Sequence, residues 1–142
     1  MFPLIRQRPF NKVADPSIEP RDIFISGYNT APLAVDLRPI LEKNKEVFQL
    51  GLTALSRLTT GEVFLTLQEA LDFEDVQVQT ITGPHPAGNI GVQIHHTKPL
   101  NPNEVIWTLN PQHVLMLGKL FQKGEYDPRL IVSIGGSGAD KP

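Results

Sequence analysis

Apolar positions along this chain fall into two spacings, and the switches between them mark the elements. Asp22 to Gly27 is a short apolar run of β-preferring residues closed by glycine, which predicts a buried strand. From about Asp36 to Leu58 the period lengthens. Ile40, Val47, Leu50, Gly51, Ala54, Leu55 and Leu58 recur at three- and four-residue steps, with Glu42, Lys43, Lys45 and Glu46 on the other face. That predicts the strongest helix, with Pro39 in its first turn and Gly61, after Thr59 and Thr60, as a left-handed cap. Glu62 to Leu67 and Val76 to Thr82 predict two further strands, the second alternating so that one face is less buried. Ile90 to Pro99 stays open between strand and helix, because Ile90, Val92 and Ile94 alternate but follow a glycine loop. Val105 to Leu109 predicts another strand. Asn110-Pro111 then supplies an N-cap and a proline at the first helical position. His113 to Lys123 continues as a helix with Val114, Leu117, Leu120 and Phe121 on one face, closed by Gly124. Arg129 to Ile134 predicts a last strand running into Gly135-Gly136-Ser137-Gly138. Pro3, Pro9, Pro16 and Pro20 make residues 3–22 an extended loop.

This order predicts a three-layer α/β fold with a mostly parallel sheet. It divides into a Pro/Arg-rich opening segment (1–21), the α/β domain (22–135) and a glycine-rich exit toward a following domain (136–142). The abrupt ends, with Met1 directly before loop text, predict a piece excised from a longer chain. In such sheets ligands sit beyond the carboxyl ends of strands. That rim carries Tyr28 and Asn29, then Gly83, Pro84, His85 and Gly88, then Gly135 and Gly136. Its centre is Gly83-Pro84-His85-Pro86-Ala87-Gly88-Asn89. The prolines fix φ and restrict the residues before them, so the stretch reads as a rigid loop holding one titratable ring.

Composition narrows the function classes. At 142 residues, 40% hydrophobic and 20% charged, the chain can bury a single sizeable core. A net charge of −2 argues against a sequence-independent nucleic-acid binder. The absence of cysteine excludes disulfides and cysteine-ligated zinc or iron–sulfur clusters. No apolar run reaches the ~20 residues of a membrane span, which predicts a soluble polypeptide. His85, His95, His96 and His113 are the only histidines. His95 and His96 are adjacent and point to different faces, so no metal site is assigned. There is no G-x-S-x-G elbow, and Ser133 and Ser137 lack a paired histidine, so no catalytic residue is assigned either. Gly135 to Gly138 after a strand has the start of a dinucleotide loop, but the helix that must follow is missing, and an interdomain exit accounts for it better. Arg6, Arg8 and Lys12 are a candidate interface or anion contact, beside the plainer account of a solvated loop. Trp107 and the phenylalanines read as core.

Three motifs arriving in order carry a resemblance: Arg6-Gln7-Arg8-Pro9-Phe10-Asn11-Lys12-Val13, Gly83-Pro84-His85-Pro86-Ala87-Gly88, and Trp107…Asn110…Gly118-Lys119-Leu120-Phe121…Gly124-Glu125. With Thr30-Ala31-Pro32-Leu33-Ala34 and Phe48…Gly51-Leu52…Leu55…Leu58-Thr59…Gly61, they make the chain similar to the middle part of the A subunit of the bacterial Na+-translocating NADH:quinone oxidoreductase. The resemblance implies a Rossmann-like domain related to the flavin-binding subunit of respiratory complex I and to the C subunit of the Rnf complex. Those relatives wrap flavin phosphate in a glycine-rich loop. This chain has Leu4 to Phe10 at that place, with no glycine, and Thr30-Ala31 where the relatives have an acidic pair. Bulky side chains there bar the close backbone approach that phosphate needs.

The resemblance therefore implies a domain with no cofactor of its own, inside a complex that uses NADH and flavins to reduce ubiquinone and export sodium. Quinone is its possible ligand, the complex's other subunits are its partners, and its place is peripheral, on the cytoplasmic side of the bacterial inner membrane. Two other readings stand beside this one. The first is a residual flavin- or nucleotide-binding module using the rim at Asn29, His85 and Gly136. The second is a purely structural domain that docks on neighbouring subunits. An apolar cleft near His85 able to take a quinone ring would favour the quinone reading over docking alone.

Overall fold

The structure, a computed structural model, describes residues 2–139; Met1 and residues 140–142 of the expected exit lie outside the described residues. After a 3-10 turn at Phe2–Leu4 come β1 (Arg6–Arg8), β2 (Lys12–Val13), β3 (Ile23–Ser26), α1 (Arg38–Lys43) and α2 (Lys45–Ser56). Then follow β4 (Val63–Leu67), β5 (Gln77–Thr80), α3 (Ile90–Thr97), β6 (Ile106–Leu109) and α4 (Pro111–Lys123). All the strands join one sheet in the order β2-β1-β6-β3-β4-β5. β6, β3, β4 and β5 run parallel, while β1 and β2 are antiparallel additions at one edge.

Alternation along the strands fills two cores. Ile23, Ile25, Val63, Leu65, Leu67, Trp107 and Leu109 face α2 and α4, meeting Phe48, Leu52, Leu55, Val114 and Leu117. Phe24, Phe64 and Ile106 face the other way and meet Ile94 of α3, with the Phe24 and Phe64 rings stacked at 4.8 Å. Helices thus cover both faces of a mostly parallel sheet, a three-layer arrangement consistent with a Rossmann-like domain. α2 and α4 cross at their backbones. A Cβ on Gly51 would strike the Val114 carbonyl, and one on Gly118 the Val47 carbonyl. α4 is closed at both ends as the sequence predicts: Asn110 Oδ1 accepts from the Gln112 amide at 2.8 Å, and Gly124 takes the left-handed conformation at φ 72°. Among the described residues no helix is long and apolar enough to cross a membrane.

Several expectations are corrected. The single helix from Asp36 to Leu58 is two helices broken at Asn44, whose φ of −119° leaves the helical region. Its terminal glycine is no left-handed cap: α2 ends at Arg57, and Gly61 instead packs against the Arg21 carbonyl. Ile90 to Thr97 is helix. The proline-rich opening segment, expected as loop, supplies β1 and β2, because the residues between Pro3 and Pro9 are free to pair with β6.

Arg129 to Ile134 forms no strand. It lies along α4 instead, where Gln112 Nε2 donates to the Ile131 carbonyl at 2.9 Å and the Ile131 amide returns to Gln112 Oε1 at 2.7 Å. Those side-chain bonds replace a strand ladder. Phe10 and Phe121 are exposed and not core, while Trp107 is buried. Phe10 sits in the turn between β1 and β2, and Phe121 lies in the last turn of α4.

At the amino ends of the strands a charged cluster ties the fold together. Asp22, fully buried, accepts from Arg21 Nε at 2.6 Å, Lys98 Nζ at 2.8 Å and the Glu62 amide at 3.0 Å. Burial pushes its carboxyl up, but the Lys98 ammonium, the Glu62 amide and the Arg21 guanidinium outweigh that and hold it below the ordinary range. This end of the sheet is closed.

Candidate functional site

The opposite rim is open, and two loops meet there. The Tyr28 hydroxyl donates to the Gly83 carbonyl at 2.9 Å. Thr30 Oγ1 lies 3.2 Å from His85 Nδ1 and accepts from the Gly88 amide at 3.2 Å. Gln93 of α3, itself buried, donates through Nε2 to the carbonyls of Tyr28 at 3.3 Å and Ala87 at 3.2 Å. Gly88 is needed because a Cβ there would meet the Thr30 backbone. The structure thus brings Tyr28, Asn29, Gly83, Pro84, His85 and Gly88 together. Gly136 stands apart, exposed and with a φ of 122°, and has nothing within 4 Å of a Cβ position. His85 is exposed and turned to Thr30. It lines neither of the two cavities described next.

The larger cavity, about 840 Å³, opens where the sheet order reverses: β4 and β5 lie to one side of β3, and β6 to the other. Such a switch point is where strand ends diverge and leave a crevice. Ser26 ends β3 at its wall and Asn29 follows, Asn110 and Gln112 follow β6, and the first residues of α3 close one side. Arg6 and Arg8 reach it from β1. Two apart on one strand, they share a face, opposite Thr108 and Ile106. Lys12 does not line it; it sits exposed on β2.

A second cavity of about 230 Å³ lies on the α2–α4 side. Its wall is almost wholly apolar, with Phe2, Leu58, Leu117 and Phe121 prominent and His113 as the one polar side chain. His113 Nδ1 is buried and has no hydrogen-bond partner among the described residues. Burial holds the imidazole below its ordinary range and the nearby Arg6 charge adds to this, while a backbone contact with Leu4 works the other way. His113 lines both cavities. Sequence reasoning missed it, along with Asn110 and Gln112. The available signal was the Asn110-Pro111 cap, which places the start of α4 just beyond a strand end.

Comparison with known proteins bears on what this rim belongs to. The family described as the NqrA second alpha/beta domain matches residues 1–126. The A subunit of the Na(+)-translocating NADH-quinone reductase of Alcanivorax borkumensis is 37% identical over 98% of this chain and 32% of its own length. The protein of the same name from Pseudomonas aeruginosa is 37% identical over 100% of the chain and 33% of its own. That from a Marinomonas species is 39% identical over 96% and 32%. The chain spans about a third of the length of these relatives. With the match running from residue 1 through the whole of α4, the chain belongs to the family of the NqrA second alpha/beta domain.

Proposed function

We propose that this domain serves in the A subunit of a Na+-translocating NADH:quinone reductase, where it contributes to quinone reduction coupled to sodium export without holding a cofactor of its own. The observation that carries the reading is the chain-long identity with proteins bearing that name. The fold supports the cofactor-free part. Where flavin-binding relatives are expected to carry a glycine-rich loop, Arg6, Gln7 and Arg8 form a sheet strand, with Gln7 buried and its Oε1 accepting from the Asp15 amide at 3.1 Å. A strand packed in this way presents side chains, not a run of bare amides, to any phosphate.

A contribution to quinone chemistry calls for an apolar slot with a polar handle. The cavity beside His113 has both, whereas the exposed His85 loop has no such slot. The domain's place is peripheral, on the cytoplasmic side of the membrane complex, with the other subunits as its partners. The test is a chimera of the Pseudomonas aeruginosa complex in which residues 1–126 of this chain replace the matching domain. The reading expects an assembled complex that reduces quinone, and a His113→Leu version that assembles equally but shows a raised KM for quinone. An assembled chimera whose quinone kinetics ignore His113 would leave docking on neighbouring subunits as the domain's whole role.

A further inference from the structure

We propose that the switch-point cleft binds a phosphate group, gripped by the guanidinium groups of Arg6 and Arg8. None of the described residues lining the cleft is acidic. No carboxylate of the described residues lies within ion-pair distance of either arginine. Arg8 Nε is buried with no hydrogen-bond partner among the described residues, although a guanidinium N–H withdrawn from water normally finds an acceptor. Two unopposed arginines on one strand face form a fork suited to the oxygens of a tetrahedral anion.

α3 adds to this. Its cap residue Asn89 makes no side-chain cap bond. The Val92 and Gln93 amides return to the Asn89 carbonyl, which leaves the Ile90 and Gly91 amides with no backbone partner at the cleft wall. A Cβ on Gly91 would meet nothing within 4 Å, so that approach is open. The cleft's volume of about 840 Å³ exceeds that of a bare anion, and Val35, Leu37 and Leu109 give it an apolar wall. A phosphate carried on a small organic molecule fits both halves, within the roughly 300–1,000 Å³ usual for such ligands. The grip comes from side chains, so it needs no glycine loop. It does not rest on the quinone reading, whose slot lies on the α2–α4 side and shares Leu4, Leu109 and His113 with this cleft.

The test is an NMR titration that resolves backbone amides and arginine Nε–H groups. Ligands are inorganic phosphate, adenosine monophosphate and adenosine, at constant ionic strength. The proposal expects shifts at Arg6 and Arg8 Nε and at the Gly91 amide with both phosphates and none with adenosine. Tighter binding of the monophosphate by tenfold or more assigns the site to a carried phosphate, and equal affinities assign it to the free ion. Arg6→Gln with Arg8→Gln should weaken binding at least tenfold while amide shifts outside the cleft stay unchanged. Arg6→Lys with Arg8→Lys, which keeps charge but loses the fork, should weaken it less. Silent arginine Nε signals in the unaltered chain, equal shifts with adenosine, or full affinity in the folded glutamine variant would each overturn the proposal.

Discussion

His113 shows how one side chain can belong to two environments at once. Asn110 and Pro111 start α4 beyond β6, and the third residue of that helix then lies between a cationic cleft and an apolar slot. Burial, aided by the Arg6 charge and opposed by the Leu4 backbone, holds the ring's pKa below the ordinary histidine range. An unfolded histidine takes up its proton near pH 6.5, whereas the folded one resists until lower pH. Below about pH 6.5 the unfolded chain therefore binds more protons, and stability falls as the pH drops through that window. His113→Leu should remove this component, so its urea midpoint should vary less with pH just below 6.5 than the parent's. An unchanged slope would place the acid sensitivity elsewhere.

At this scale the sequence revealed the clasp better than the cavities. Gly83 to Asn89 reads as a built loop from its prolines and glycines alone, and it does lock onto Tyr28 and Thr30. His113, by contrast, reads as an ordinary helical histidine. Its surroundings are set by β1 and β6 lying side by side, a pairing between residues about a hundred positions apart that no local pattern encodes.

Elements divide by how much of their reason is local. α4 is fully legible, with cap, proline, apolar face and left-handed glycine all in its own letters. β3, β4 and β6 are legible too, because burial on both faces leaves largely apolar runs. β1 is not: a short, polar strand bracketed by prolines forms because β6 offers it an edge. Arg129 to Ile134 fails in the opposite sense, having β-preferring residues but Gln112 for a partner. The α2–α4 crossing gives the sharpest prediction here. Gly118→Ala gains about 1 kcal/mol of helix propensity. The new methyl would nevertheless strike the Val47 carbonyl and force the helices apart, at a cost of about 1–3 kcal/mol. Gly91→Ala in α3 meets nothing and should be neutral or stabilising by up to about 1 kcal/mol. Urea unfolding of the pair checks this; equal effects at the two sites would refute the close crossing.

As a whole, the molecule has one closed end and one open end. Asp22, Arg21, Lys98 and Glu62 seal the amino ends of the strands, while the carboxyl ends carry the larger cavity and the joined loops, and the smaller slot runs along the α2–α4 face. Beyond α4 the chain from Glu125 to Gly138 is almost entirely exposed, with Val132 and Ile134 at 70% and 83%. Limited proteolysis should therefore cut within 125–138 first and leave a folded remainder; an early cut within α2 or β4 would contradict the core described above. Whether this domain offers quinone a place beside His113 is best decided by an amide-resolved NMR titration with a soluble short-chain quinone. Shifts confined to residues around Phe2, Leu58, His113, Leu117 and Phe121 are expected. Shifts centred on Gly83 to Asn89, or none anywhere at saturating quinone, would contradict that place.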